Sequence, residues 1–171
     1  LASAFGDISG QRLYTDDKGS KYSGNECQVQ MLVDYQVPAT DIVTVTDGPD
    51  ITFTTASEDV GDGYTYKGET DRVTLTLGVG RTRGLVAVSG VNAFTMKDLI
   101  VDGEGVKLST VVQGGALNAT NCAVSIENCD IMNLEAGNGG AVYTTGGSLN
   151  IEGSRFVECT SSRTVDGSGG G

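Results

Sequence analysis

The feature that most constrains the fold of this chain is a repeat near its C-terminal end. Residues 139–156 are a near copy of residues 114–131, which lie 25 positions earlier. Both copies begin with two glycines and an alanine and then run through alternating apolar and polar residues. A period of this length, rich in glycine and β-forming residues, is typical of a solenoid in which each rung resembles the one before it. The repeat therefore predicts an all-β solenoid.

A third copy of the pattern, around residues 86–101, allows three rungs to be aligned. Three positions are apolar in every rung and are predicted to point inward and to stack. These columns are Phe94/Val124/Leu149, Met96/Ile126/Ile151 and Val101/Ile131/Phe156. Leu99, Cys129 and Ser154 form a smaller inward column, which makes Cys129 a packing residue. Each rung is predicted to hold three short strands, so that parallel stacking makes three sheets around a triangular core.

One column of the alignment falls between two inward strands, where the chain must bend sharply. Its members are Asp98, Asn128 and Gly153. These residue types tolerate a left-handed backbone, which a corner of this kind requires. We therefore expect a stack of left-handed corners.

Two further columns point outward and carry charges. At a rung spacing of about 4.8 Å, Lys97 can reach Glu127, and Asp130 can reach Arg155. The alignment predicts two surface ion pairs, each contributing about 0–1 kcal/mol.

The N-terminal part of the chain differs from the repeats. Residues 1–24 are polar and glycine-bearing and are predicted to be irregular. Residues 25–36 begin with a capping residue and are expected to form a short amphipathic helix, which Pro38 stops. The apolar face of this helix consists of Cys27, Met31, Leu32 and Tyr35. We therefore divide the chain into an N-terminal segment with a capping helix, residues 1–40, and a parallel β-helix, residues 41–171.

Charge and composition exclude several classes of function. The chain has 22 acidic and 11 basic residues, a formal net charge of −11, and it has no basic stripe with which to bind nucleic acid. No stretch approaches the roughly 20 apolar residues that a membrane span needs, so direct membrane insertion is not expected. The chain has no histidine, which removes Ser-His and Cys-His catalysis and argues against a zinc site.

Three acidic residues of the aligned rungs are the best candidates for chemistry. Asp98, Asp102 and Asp130 lie near one another on the outward side, with Arg155 beside Asp130. A group of this composition resembles the calcium-and-arginine site of a lyase and the paired carboxyls of an inverting hydrolase. The corner column and the Asp130–Arg155 pair explain the same residues without catalysis, so we predict no catalytic, cofactor or metal site. The acidic loop 58–72 could hold calcium, but it lacks EF-hand spacing and is predicted to be solvated.

The cysteines and one asparagine are candidates for covalent modification. The four cysteines have no Cys-x-x-Cys spacing, and they allow either one disulfide, between Cys27 and Cys122, or free buried thiols. Asn118-Ala119-Thr120 is an N-glycosylation sequon. Asn118 is predicted to lie next to a turn, where a glycan could point outward in a secreted eukaryotic protein.

The repeat motif resembles that of a known group of proteins. Gly139-Gly140-Ala141-Val142-Tyr143, followed by a strand that leads to Phe156, is similar to the GGA(I/V) repeats of right-handed parallel β-helix surface proteins. Polymorphic outer membrane proteins and autotransporter-type adhesins carry such repeats, as do secreted proteins of the pectin-lyase-like superfamily. The resemblance covers residues 84–171 well and 41–83 loosely. It departs from the group at Val157-Glu158-Cys159, which replaces the usual asparagine pair.

The resemblance implies a right-handed parallel β-helix whose N-terminal end is covered by the helix of residues 25–36. It also implies an extracellular or cell-surface, non-enzymatic role, as a rigid stalk or adhesion module that presents loops. Two alternatives stay open: a subunit of an extracellular filament or wall that stacks end to end, and a polysaccharide lyase or hydrolase. The expected partners are protein or glycan surfaces and further copies of the chain along the solenoid axis. The solenoid is expected to continue beyond Gly171.

Overall fold

The computed structural model describes residue 1, residues 14–15 and 21–22, and the two long stretches 26–56 and 71–162. These residues form strands and connections, with no helix among them. The strands are β1 (Tyr14–Thr15), β2 (Lys21–Tyr22), β3 (Glu26–Met31), β4 (Tyr35–Val37), β5 (Val43–Val45), β6 (Asp50–Thr55), β7 (Val73–Leu77), β8 (Val86–Ser89), β9 (Ala93–Lys97), β10 (Leu99–Lys107), β11 (Leu117–Glu127), β12 (Asp130–Ala136), β13 (Val142–Glu152) and β14 (Arg155–Ser161). A membrane-spanning helix is likewise not found in these stretches.

Strands β3 to β14 form a parallel solenoid with three sheets, of which the first and third are joined through the long strands β11 and β13, while β1 and β2 pair separately and antiparallel. The first sheet stacks β3, β6, β9 and the C-terminal halves of β11 and β13. The second sheet has the order β4-β7-β10-β12-β14. The third sheet stacks β5, β8 and the N-terminal halves of β11 and β13. One strand of the second sheet comes from each rung, so the described solenoid has five rungs, and the predicted three-sheet parallel solenoid is confirmed.

The register of the strands confirms the predicted core columns. The paired residues are Phe94, Val124 and Leu149, then Met96, Ile126 and Ile151, then Val101, Ile131 and Phe156. The first two columns continue into rung 2, where Ile51 and Phe53 pair with rung 3. All column members in rungs 2 to 4 are buried, as are Leu99 and Cys129. Full burial of one such apolar side chain stabilises the fold by about 1.5–3 kcal/mol, so the stacked columns are the main source of stability.

The predicted left-handed corner is also confirmed. Asp98, Asn128 and Gly153 have φ values of 52°, 48° and 58°. Asn128 Nδ2 donates a hydrogen bond to Asp98 Oδ1 at 2.7 Å, so the corner residues also join one rung to the next.

The predicted helix over 25–36 is wrong. Residues 26–31 form β3, which pairs in register with β6, and residues 35–37 form β4, which pairs with β7. In β3 the odd-numbered residues are apolar and the even-numbered ones polar, which is the two-residue period of a strand. Val29, which the helical pattern leaves out, is buried. The solenoid therefore reaches further toward the N terminus than residue 41. Most of residues 1–24, and the predicted capping residue Asn25, lie outside the described residues.

The glycine pairs of the repeat occupy a corner where successive rungs approach closely. A methyl group on Gly115 would overlap the carbonyl oxygen of Gly140, and one on Gly140 would overlap the backbone of Thr160. The preceding residues, Gly114 and Gly139, have positive φ values of 67° and 56°. The motif that identifies the repeat is therefore a steric and conformational requirement of the corner.

Gly115→Ala is expected to lower the free energy of unfolding by about 2–3 kcal/mol, because the added methyl group has no room in the packed corner. Gly153→Ala is the matched control. A methyl group there meets its nearest atom only at 3.9 Å, so only backbone strain of about 1 kcal/mol is expected. Urea unfolding measures both variants, and equal losses would show that the close approach at Gly115 does not exist.

Candidate functional site

A charged cluster, formed by Arg72, Asp130 and Arg155, lies on the outer side of the second sheet. Asp130 Oδ2 accepts hydrogen bonds from Arg155 Nη2 at 3.1 Å and from Arg72 Nη2 at 2.7 Å. The predicted Asp130–Arg155 pair is thus confirmed. Arg72 also donates from Nη1 to the carbonyl oxygen of Asn128 at 2.8 Å. The sequence did not indicate Arg72, because it lies before the aligned rungs and reaches across one rung to its partners.

The electrostatics of the charged cluster do not suit acid–base catalysis. Partial burial raises the pKa of Asp130, but the hydrogen bonds and charges of Arg72 and Arg155 outweigh burial and hold this pKa below its ordinary value. Asp130 is therefore ionised at neutral pH, and one of its oxygens is shared by two guanidinium groups. A general acid needs a raised pKa, and a general base needs an oxygen that can reach substrate. The contacts of the charged cluster are those of residues that join one rung to the next.

Asp130→Asn is expected to lower the free energy of unfolding by about 1–3 kcal/mol at neutral pH, because Arg72 loses a charged acceptor in a partly buried position. The pKa of Asp130 is lower in the folded chain than in the unfolded chain. The ionised carboxylate therefore stabilises the fold fully above the unfolded-state pKa of about 3.9, and this stabilisation is lost as pH falls through the folded-state pKa. The difference between the unaltered chain and the variant should shrink below about pH 4. Urea unfolding across this range tests the effect, with exposed Glu152→Gln as control; a difference independent of pH would contradict it.

The other two candidate acids, Asp98 and Asp102, also accept hydrogen bonds from the next rung. Asp98 accepts from Asn128, as described above, and Asp102 Oδ1 accepts from Asn133 Nδ2 at 2.8 Å and from the amide of Glu104 at 2.9 Å. Within 26–56 and 71–162, no three histidine, cysteine or acidic side chains are placed to hold a metal ion together. The acidic loop 58–72, predicted to be solvated, lies, apart from its last two residues, outside the described residues.

The outer side of the first sheet carries polar side chains in successive rungs, which we call the polar face: Gln28, Gln30, Thr52, Thr54, Thr95, Lys97, Ser125 and Glu127. It contains an open groove of about 340 Å³. The groove is lined by Gln28, Gln30, Thr52, Thr54, Thr55, Thr95, Lys97, Asp98 and Glu127. Two of these threonines, Thr54 and Thr55, are buried, and their hydroxyls donate to the carbonyl oxygens of Thr55 and Asp98. The exposed amides of Gln28 and Gln30 both donate and accept hydrogen bonds, so this surface can bind polar ligands.

The predicted ion pair between Lys97 and Glu127 is wrong. The two residues are opposite each other in the register, but Glu127 Oε1 accepts a hydrogen bond from Ser125 Oγ at 2.8 Å. Ser125 lies two residues earlier on the same side of the strand, which places its hydroxyl beside the carboxylate. The lysine and the glutamate therefore contribute separate charges to the polar face.

The four cysteines are free thiols, so of the two alternatives that the sequence allows, the Cys27–Cys122 disulfide is not formed. Cys27 belongs to rung 1, and Cys122 directly precedes the first-sheet strand of rung 4. Three rung spacings separate them by about 14 Å, twice the Cα separation of about 7 Å that a disulfide can span. Burial raises the pKa of Cys122 and of Cys129 to about 11, and it also raises the pKa of Cys27 and Cys159. These thiols are protonated at neutral pH and are poor nucleophiles.

The sequon asparagine, Asn118, lies near the start of β11, with Ala87 and Tyr143 beside it on the neighbouring strands. It is half-buried, and its Oδ1 atom is buried without a hydrogen-bond partner. A groove of about 340 Å³ next to it is walled in part by Val86 and Val112. A glycan on Asn118 would have to leave through this groove, and glycosylation here stays a prediction.

Arg81 is a buried charged residue that the sequence did not indicate. Its guanidinium donates to the carbonyl oxygens of Pro38 at 2.7 Å, Asp41 at 2.9 Å and Gly84 at 3.2 Å. Burial lowers the pKa of Arg81, and the charge of Asp41 opposes this effect. Arg81 thus fastens the connection before β5 to the connection before β8.

Comparisons with known proteins assign no family to this chain. No protein family, no curated protein and no solved structure matches it. Functional inference therefore depends on the fold and on the contacts described above.

Proposed function

We propose that the chain is a non-enzymatic structural and adhesion module, a rigid solenoid that acts at the cell surface or outside the cell. The observation that carries this proposal is the use of outward carboxylates in contacts between rungs. Asp98, Asp102 and Asp130 each accept hydrogen bonds from another rung. Carboxylates that bind neighbouring rungs in this way hold the rungs in register. This use of the acidic residues supports a structural role for the chain.

The stacking of the rungs supports the role of a stiff stalk. In the second sheet, β7, β10 and β12 each pair with a strand on both sides. Bending such a stack would require hydrogen bonds to break in all three sheets. We further assign the solenoid to the right-handed type, because its GGA repeats resemble those of polymorphic outer membrane proteins and autotransporter-type adhesins.

The polar face is the surface that we propose for attachment. Its amides and hydroxyls suit a protein or glycan surface rich in hydrogen-bonding groups. The net charge of −11 repels polyanions and disfavours nucleic acid or acidic polymers as partners.

Binding to arrayed glycans and purified matrix proteins tests the attachment role. The double variant Gln28→Ala/Gln30→Ala, on the polar face, is expected to weaken the binding at least tenfold. The matched control is Gln36→Ala/Thr44→Ala, which alters exposed polar residues of the same rung on the other two sheets. Binding that both double variants weaken equally would contradict attachment through the polar face.

Incubation with polygalacturonate and neutral polysaccharides, with and without calcium, tests the enzymatic alternative. Unsaturated products report a lyase, and new reducing ends report a hydrolase. We expect neither above the level of a heat-inactivated sample. Product formation that Asp130→Asn abolishes would overturn the non-enzymatic proposal.

A further inference from the structure

Lys97 and Glu127 lie opposite each other on the polar face without bonding to each other, and we call them the open pair. The register aligns the two residues, but Glu127 Oε1 accepts its hydrogen bond from Ser125. Within residues 26–56 and 71–162, the exposed ammonium group of Lys97 has no hydrogen bond or ion pair. The open pair therefore presents two opposite charges side by side, each with bonding capacity to spare.

A second lysine and glutamate, on the second sheet, show that the rung spacing allows such residues to join. Lys107 and Glu135 are likewise opposite in register, and Lys107 Nζ lies 3.2 Å from Glu135 Oε2. In the open pair the serine hydroxyl holds the carboxylate instead. A ligand hydroxyl can accept a hydrogen bond from an ammonium group and donate one to a carboxylate, so a single hydroxyl can satisfy both members of the open pair.

The groove of the polar face extends the open pair into a longer site. Gln30, Thr54, Lys97 and Glu127 occupy one column in four successive rungs, which spans about 14 Å. At the rung 1 end, Gln30 Nε2 donates to Gln28 Oε1 at 3.1 Å, which leaves the amide nitrogen of Gln28 and the oxygen of Gln30 for a ligand. The groove thus offers donors and acceptors at both ends and suits an extended molecule.

The lining of the groove separates the classes of extended ligand. Every lining residue is polar, whereas the centre of a protein interface is apolar and rich in aromatic residues. The backbone of these strands is already used in pairing between rungs, so a peptide cannot add to the groove as a further strand. A polyanion would meet Asp98, Glu127 and a chain of net charge −11. A neutral polysaccharide meets none of these obstacles, and its hydroxyls donate and accept along its whole length.

We propose that the groove of the polar face binds a neutral polysaccharide chain and holds one of its hydroxyls between Lys97 and Glu127. That hydroxyl accepts a hydrogen bond from the ammonium group and donates one to the carboxylate. Hydroxyls further along the polysaccharide bind the amides of Gln28 and Gln30. This inference rests on the proposed attachment through the polar face, and it adds the class of ligand and the residues that select it.

An array that carries neutral glycans, acidic glycans and matrix proteins tests the class of ligand. The unaltered chain is expected to bind neutral glycans, with an affinity that changes little between low and high salt because the ligand has no charge. Binding confined to proteins or acidic glycans, and lost in Gln28→Ala/Gln30→Ala, would overturn this inference and leave attachment through the polar face intact. Binding to nothing on the array would contradict both proposals.

Variants of the open pair test its role with a neutral glycan that the array identifies. Lys97→Met and Glu127→Met are each expected to weaken binding about tenfold or more, since each removes a hydrogen bond to a charged group. Lys107→Met/Glu135→Met, the joined pair of the second sheet, is the matched control and should bind like the unaltered chain.

The double variant Lys97→Met/Glu127→Met distinguishes a shared hydroxyl from general damage to the surface. Its binding should be little weaker than that of either single variant, because both residues bind the same hydroxyl. Its loss of stability in urea should equal the sum of the single losses, because the two residues do not bond to each other. Losses of affinity that multiply, or single variants that bind normally, would overturn the proposal.

Discussion

Ile126→Ala is expected to lower the free energy of unfolding by about 4 kcal/mol. Ile126 is fully buried between Met96 and Ile151, and its truncation removes apolar contact and leaves a cavity that the neighbouring rungs cannot fill by relaxing. Because every inner rung is hydrogen-bonded on both sides, the backbone has little freedom to close the gap. Urea unfolding measures the loss.

Ile151→Ala is the matched control for this prediction. It deletes the same atoms from the same column, but Ile151 lies at the exposed end of the column and loses less burial. Its expected cost is about 1 kcal/mol. Equal costs for the two variants would show that rung 4 is not interior to the core, and the order of the rungs described above would then be wrong.

Arg81→Met is expected to lower the free energy of unfolding by about 2–4 kcal/mol. Methionine approximately keeps the volume of the arginine stem, but it removes the donors that Arg81 directs at the carbonyl oxygens of Pro38, Asp41 and Gly84. The Pro38 oxygen keeps one donor, the amide of Asp41. An acceptor that faces the buried side chain and loses its partner costs about 1–3 kcal/mol, and two of the three carbonyl oxygens lose the donor that Arg81 supplies without the Asp41 amide to replace it. Thermal and urea unfolding report the loss.

Arg83→Met controls for the general effect of removing a positive charge from this segment. Arg83 is exposed, so its substitution should change stability by no more than about 0.5 kcal/mol. The loss of unfolding free energy for Arg81→Lys should lie between those of Arg81→Met and Arg83→Met, because an ammonium group keeps the charge but cannot reach all the acceptors. If Arg81→Met were as stable as Arg83→Met, the buried guanidinium would not hold these connections together.

The sequence predicts the core where its repeats are regular. Val124 and Leu149 are neighbours in the sheet and lie 25 residues apart, so direct alignment finds their columns. Ile51 and Phe94 are also neighbours, but 43 residues separate them. The insertion that includes residues 57–70 conceals this register. Rung 1 lacks the glycine pair of the later rungs, which allowed its first strand to be interpreted as a helix.

Side-chain partners were predictable only within the aligned rungs. Asp130 and Arg155 occupy matching positions of consecutive repeats, and alignment alone brings them together. Arg72 and Arg81 lie outside that alignment, so nothing in the pattern links them to their acceptors. The Lys97–Glu127 prediction failed for a different reason: a local hydroxyl on the same strand competes for the carboxylate, and rung-to-rung alignment does not detect a local partner.

The central claim is that successive rungs stack in parallel and in register. Nuclear Overhauser contacts between backbone protons of residues 124–126 and 149–151 test it most directly. Parallel stacking predicts contacts that join Val124 to Leu149, Ser125 to Asn150 and Ile126 to Ile151, ascending together along both strands. Contacts that ascend along one strand while descending along the other would show antiparallel pairing and would contradict the solenoid.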